Sequence, residues 1–267
     1  MEDYKAYLAE RDFSTHTVDS YLYAVRQLDE RIETNLTNEA LLEHKDWLAA
    51  HFAAKTVNLR ITAINSYLDF IDYQGIRLKS LRVQQKPYLD NAISQEDYVL
   101  LRDSLLRDGE LFWHYVVRFL TCTGARISEL RMFTVESVRI GHLDIISKGQ
   151  KLRRIYIPTR LQRDAARWLD ESERTDGYLF TINGDMPMTA RGISLGLKRF
   201  AEKYGVDQDV VYPHSFRHRF AKNFIERNPD ISLLADLMGH ESLETTRVYL
   251  RRTASEQRAA VDAAIDW

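Results

Sequence analysis

The chain has 267 residues, 45% of them apolar and 28% charged, with 37 basic and 39 acidic side chains and a net charge of −2. That size suits one large domain or two smaller ones with real hydrophobic cores, and the charge gives no basic surplus to announce a polyanionic partner, although net charge is blind to clustering. One cysteine, Cys122, excludes an internal disulfide framework; with a charged N-terminus unlike a signal peptide and no apolar run near the roughly 18 residues of a membrane span, the expectation is a soluble, cytoplasmic protein.

In chain order, a short helix is expected over 2–9. Ser14 to Glu30, STHTVDSYLYAVRQLDE, has a capping signal and apolar positions 18, 21, 22, 25 and 28, which form one helical stripe. Thr37 to Phe52 begins TNEA, with Thr37 or Asn38 as N-cap, and carries Leu41, Leu42, Trp47 and Leu48. Thr56 to Tyr73 sets Leu59, Ala63, Tyr67 and Phe70 along one side and stops before Gly75. These helices form a small bundle over 1–86. The stretch 77–94, RLKSLRVQQKPYLDNAIS, lacks periodicity and reads as an extended basic linker, centred on 87–93. The second domain, 94–267, opens with helices from Ser94 and near Glu110. HLDIISKGQKLRRIYIP, 142–158, is the one convincing β region, a hairpin about a Lys-Gly-Gln turn. Helices follow over 159–171, 189–203, 213–227, 231–238, 242–252 and 254–265. The fold class is therefore mainly α with a small antiparallel β-sheet. Neither domain is basic: 1–86 holds 11 basic and 13 acidic residues, and the remainder 26 of each.

Four segments carry polar residues that ask for an explanation. In TGARISEL, 123–130, Gly124 ends one helix and Arg126 opens another. An arginine there opposes the helix dipole unless an anion comes, or unless it simply pairs with a nearby acid. Ser128 and Glu129 look like ordinary early-helix residues. Lys148 sits at the hairpin tip. HSFRH, 214–218, puts His214, Arg217 and His218 on one helical face, as a metal pair, an anion clamp or residues with no shared task. In LMGHESLETTRVYL, 237–250, His240 follows Gly239 at a helix end and Tyr249 lies on the next helix, where a tyrosine is ordinarily core.

Together and in this order, these segments and the TTRVYLR run resemble the tyrosine recombinase family, which includes Xer-type resolvases and phage integrases. The resemblance covers about 90–252 by motif and, more loosely, the N-terminal helices, where STHTVDSYLYAVRQL looks like the start of a core-binding domain. It implies a four-helix core-binding domain, 1–86, joined by the linker to a mixed α/β catalytic domain, 94–267. Residue by residue it implies two catalytic arginines, Arg126 and Arg217; the hairpin lysine, Lys148; two histidines, His214 and His240; and the nucleophile Tyr249. Phe216 and Met238 depart from the leucines common at those places, both as apolar swaps.

The implied reaction is transesterification: the Tyr249 hydroxyl attacks a DNA phosphorus, forms a 3′-phosphotyrosyl bond and releases a 5′-hydroxyl, and the step is later reversed. Arg126 and Arg217 would hold the non-bridging oxygens with permanent charge in place of a metal ion, so neither metal nor cofactor is expected. Nearby arginines should favour the phenolate, and His214 is placed to accept or relay its proton. Lys148 would protonate the leaving 5′-oxygen, and His240 would bond a phosphate oxygen. His218 falls to a supporting role, bonded to neighbouring backbone or side chain. The expected partner is double-stranded DNA with paired inverted-repeat-like core sites, held by a homotetramer or heterotetramer; the C-terminal helix would dock on a neighbour or pack on its own domain. Groove contacts are expected from Lys55, Asn58 and Arg60, and from Arg191 and Lys198. The alternatives are a type IB topoisomerase, a non-catalytic DNA-binding relative, and a zinc hydrolase using His214 and His218. The last lacks the glutamate that the metalloprotease pattern places after the first histidine, since residue 215 is serine.

Overall fold

The structure, a computed structural model, describes residues 1–32, 35–82, 92–147, 151–182, 186–240, 242–250 and 262. The chain divides into two compact units, Met1–Gln85 and Lys86–Trp267. Among the described residues no helix is long and apolar enough to cross a membrane.

The first unit holds helices α1 (Glu2–Glu10), α2 (Thr15–Ile32), α3 (Asn38–His51) and α4 (Ala54–Phe70). The stripe expected on α2 is the buried one: Val18, Tyr21, Leu22, Val25 and Leu28 all face the core. Thr37 caps α3, its hydroxyl accepting the Ala40 N–H at 3.1 Å. On α4 the expected Ala63, Tyr67 and Phe70 pack into one core cluster, whereas Leu59 is half exposed. Val57, Ile61, Ile64 and Leu68 are buried in a second cluster, so the helix packs on two faces.

Two asparagines on α4 hold the chain beyond the helix in place. Asn65 accepts the Leu78 N–H and donates to the Leu78 carbonyl, both at 2.9 Å. Asn58 does the same for Leu81, at 2.7 and 3.0 Å. Seven residues of helix rise about 10.5 Å, and three residues of extended chain span about 10 Å, so the two spacings match. Each amide thus supplies the donor and acceptor that a neighbouring strand would supply.

Near the head of the second unit lies Ile93, which is wholly buried. Its N–H donates to the Ser215 hydroxyl at 2.9 Å, and its carbonyl accepts two bonds from Arg219. Helices α5 (Gln95–Arg107), α6 (Leu111–Thr123), α7 (Ile127–Leu130) and α8 (Val135–Ile140) lead into β1 (His142–Ser147) and β2 (Lys151–Tyr156). These strands pair antiparallel, with Ile145 opposite Arg153 and Leu143 opposite Ile155. Then come α9 (Thr159–Glu171), β3 (Thr181–Ile182), β4 (Met186–Pro187), α10 (Ala190–Lys203), α11 (Pro213–Arg227), α12 (Ile231–Met238), α13 (Leu243–Arg247) and a 3-10 turn, Val248–Leu250. Helix α6, buried along most of its length, packs against α5, α9 and α11 and fills the core with Val116, Val117, Phe119 and Leu120. Sequence reading misses α8 and the β3–β4 pair, which are too short to show a period. The expected hairpin tip at 148–150, most of the linker and nearly all of the expected 254–265 helix lie outside the described residues.

Candidate active site

Three arginines meet at the C-terminal end of α12. Its last carbonyls are unpaired within the helix and carry the negative end of the dipole. Leu237 O accepts from Arg153, Nη2 at 2.7 Å and Nε at 3.2 Å. Met238 O accepts from Arg217 Nη2. Gly239 O accepts from Arg126 Nη2 at 2.9 Å. Consecutive residues thus each hold a different guanidinium group. The chain turns here through Gly239, whose φ of 60° is left-handed and where a Cβ would lie 2.5 Å from Arg153 Cδ; only glycine satisfies both demands.

A second helix end joins the first. Gly124, with φ 64°, ends α6, and its carbonyl accepts from Arg217 Nη1 at 2.5 Å. Arg217 is therefore a buried cation, 1% exposed, held by the C-termini of α6 and α12. Its Nε has no partner among the described residues.

The sole carboxylate among them is Glu129, on the first turn of α7. It accepts from the Arg126 backbone N–H at 2.7 Å and Arg126 Nη1 at 2.8 Å, bonds Arg153 Nη1 and lies 4.0 Å from Arg217. Among the described residues, three permanent cations meet one carboxylate, a local surplus of two positive charges that an anion would offset and that the neutral whole-chain balance hides.

The field of these cations is felt by the imidazoles. Burial, then Arg217 and Arg126, hold His214 below the usual histidine range. Burial and neighbouring charges, Arg217 among them, bring His218 and His240 down to about 4. Arg217 itself is brought down to about 10, by burial and then by Arg126 and Arg153. His240 Nδ1 shares a 2.7 Å hydrogen bond with the buried Thr246 hydroxyl.

Tyr249 lies on the 3-10 turn after α13, 8% exposed, and its hydroxyl shares a 2.7 Å hydrogen bond with His218 Nδ1. The ring of His218 stands edge-on to that of His214, centroids 4.3 Å apart. The histidine touching the tyrosine oxygen is His218, with His214 ring to ring behind it: the 3-10 turn brings position 249 to the face of α11 one turn beyond 214. Burial pushes the Tyr249 hydroxyl up to about 12, outweighing the opposite pull of Arg217, so the resting enzyme holds a phenol rather than a phenolate.

The structure thus gathers Arg126, Arg217, His214, His240 and Tyr249, while Lys148 lies outside the described residues. Sequence reasoning misses Glu129, Arg153 and the His218 contact. Strand parity holds the clue to Arg153, which shares the inward face of the hairpin with Ile155. Among the described residues no third metal-ligating side chain joins His214 and His218. Elsewhere, Lys55, Arg191 and Lys198 are exposed. Arg60 donates to Gln27 at 2.6 Å and lies 3.8 Å over the Phe52 ring. The amide of Asn58, expected at a groove, bonds the backbone of Leu81.

Residues 95–256 match the phage integrase family. Tyrosine recombinase XerA of Pyrococcus furiosus is 27% identical over 272 residues, covering 99% of this chain and 93% of that protein. Among solved structures, XerH site-specific recombinase bound to a palindromic difH substrate, in a post-cleavage complex, superposes with a TM-score of 0.75 at 18% identity, over 95% of this chain and 82% of that one. A lambda integrase tetramer bound to a Holliday junction gives 0.73 at 13% identity, over 100% and 77%. The chain belongs to the phage integrase family. Its function is that of a site-specific tyrosine recombinase, a DNA strand transferase.

Proposed function

We propose that Tyr249 is the nucleophile and that Arg126 and Arg217 receive the scissile phosphate of duplex DNA. The observation that carries this reading is the surplus, among the described residues, of two positive charges in the arginine cluster, one member of which, Arg217, acts electrostatically on the Tyr249 hydroxyl. A phosphodiester brings one negative charge, and its transition state gathers more on the non-bridging oxygens. Cations already fixed in place stabilise that state without reorganising. His214, exposed, and His240, half-buried, bond the phosphate oxygens, and Lys148 protonates the leaving 5′-oxygen.

In this reading residues 1–86 form a core-binding domain, 87–93 a linker and 94–267 the catalytic domain. Lys55, Arg60, Arg191 and Lys198 contact the duplex, chiefly its phosphates. Strand exchange takes place in a tetramer on two paired sites, a reading supported by the lambda integrase tetramer on its junction. Tyr249→Phe is expected to abolish covalent protein–DNA adducts on a nicked suicide duplex while leaving affinity for that duplex nearly unchanged. An adduct formed by this variant would remove Tyr249 from the nucleophile's role.

A further inference from the structure

We propose that His218 is the catalytic base: its Nδ1 holds the Tyr249 hydroxyl and takes that proton as the oxygen attacks phosphorus. The proposal rests on the recombinase reading and adds a residue to it. Its geometry is direct, since the two atoms are 2.7 Å apart, within the reach a general base requires. Both partners are fixed by the fold: His218 sits on the 15-residue helix α11, one residue beyond the buried Arg217, and Tyr249 is 8% exposed against Ala221, Leu234 and Met238.

The other imidazoles are placed differently. The Nδ1 of His240 is engaged by Thr246. His214 stands behind His218, ring to ring, next in line to pass a proton onward. With its own proton on Nε2, His218 leaves Nδ1 as an acceptor for the tyrosine O–H. Burial, and after it the neighbouring His214 and the Arg217 cation, favour that neutral form. A phosphate arriving between Arg126 and Arg217 supplies the missing negative charge. The base then gains proton affinity when substrate is present, and the tyrosine stays a phenol until then.

Bonds and protons balance in this step. The Tyr249 oxygen forms a bond to phosphorus while the bond from phosphorus to the 5′-oxygen breaks. The tyrosine proton moves to Nδ1 of His218, and the leaving 5′-oxygen takes a proton from Lys148, the proposed acid. Reversal returns each proton to its origin.

The test begins with a randomised pool of nicked duplexes, from which the wild-type chain captures covalently a suicide substrate. His218→Ala and His218→Asn are then assayed in single-turnover cleavage; asparagine keeps a polar atom near Nδ1 but cannot take a proton. The expected result is a rate lower by about 10²- to 10⁴-fold in both variants, with duplex affinity retained. A 5′-bridging phosphorothiolate, whose sulfur leaves without protonation, should not restore it. Cleavage within about threefold of wild type, or restoration by the phosphorothiolate, overturns the assignment. Nitrogen-15 histidine spectra of the intact wild-type chain give a reading independent of any loss of folding in the variants. Nδ1 of His218 should be unprotonated and should shift in Tyr249→Phe, whereas a proton on Nδ1 overturns the assignment. A wild-type chain that captures no duplex overturns the recombinase reading and this proposal together; capture with unaffected His218 variants overturns this proposal alone.

Discussion

Glu129 carries one negative charge among three guanidinium groups, and both it and Arg153 are more than nine-tenths buried. Removing one partner of a buried pair leaves the other charge uncompensated, at a cost of about 3–5 kcal/mol. Glu129→Gln, which keeps the volume and one acceptor oxygen, is expected to destabilise the second unit by roughly that amount, read as a lower urea midpoint by near-ultraviolet circular dichroism. Adding Arg153→Met to that variant should recover part of the loss, because the orphaned cation is then gone. A carboxylate in the first turn of a helix looks ordinary in sequence, which is why motif reading passes over it. The order and spacing of Arg126, His214, Arg217, His240 and Tyr249 are visible there; the carboxylate that pairs with both Arg126 and Arg153 is visible only once β2 is folded against α7 and α12.

At the scale of elements, the match between two turns of α4 and three residues of extended chain makes Asn58 and Asn65 a paired device. Losing one amide strips two hydrogen bonds from the backbone it serves, worth about 1–3 kcal/mol where the groups stay partly buried. Asn58→Ala is therefore expected to speed amide exchange at Leu81 and to lower the stability of the first unit, and Asn65→Ala to do the same at Leu78. An effect of Asn58→Ala on duplex affinity with no change in exchange would return this residue to the groove. Helices with clear caps or stripes, such as α2, α3, α9 and α10, were legible to within a few residues. On α4 Ala63, Tyr67 and Phe70 were legible but Leu59 was not, because Leu59 and Ile61 are equally apolar and only packing separates them.

For the whole molecule, the division of charge explains why composition misleads. A balance of −2 hides a site where three arginines converge. Acid sensitivity is also distributed. In the first unit His44 is 2% exposed, neither ring nitrogen has a partner among the described residues, and burial with Arg31 and Arg60 brings it down to about 4. The unfolded chain titrates near 6.5, so between these values the unfolded state binds more protons and stability rises with pH. The contribution is fully present above 6.5 and is lost as pH falls towards 4, on the order of 3 kcal/mol. His44→Leu should flatten that part of the profile, measured as the urea dependence of amide exchange at Leu41 and Leu48 from pH 4 to 7. An unchanged slope would mean that the imidazole is protonated inside the fold.

Ile93, the buried residue near the head of the second unit, is fastened by Ser215 and Arg219. Those two residues bracket Arg217 and His218 on α11. The chain at Ile93 is thus fastened to the same helix that carries the buried Arg217 and the imidazole bonded to Tyr249. A disturbance at that fastening reaches both side chains along a single helix.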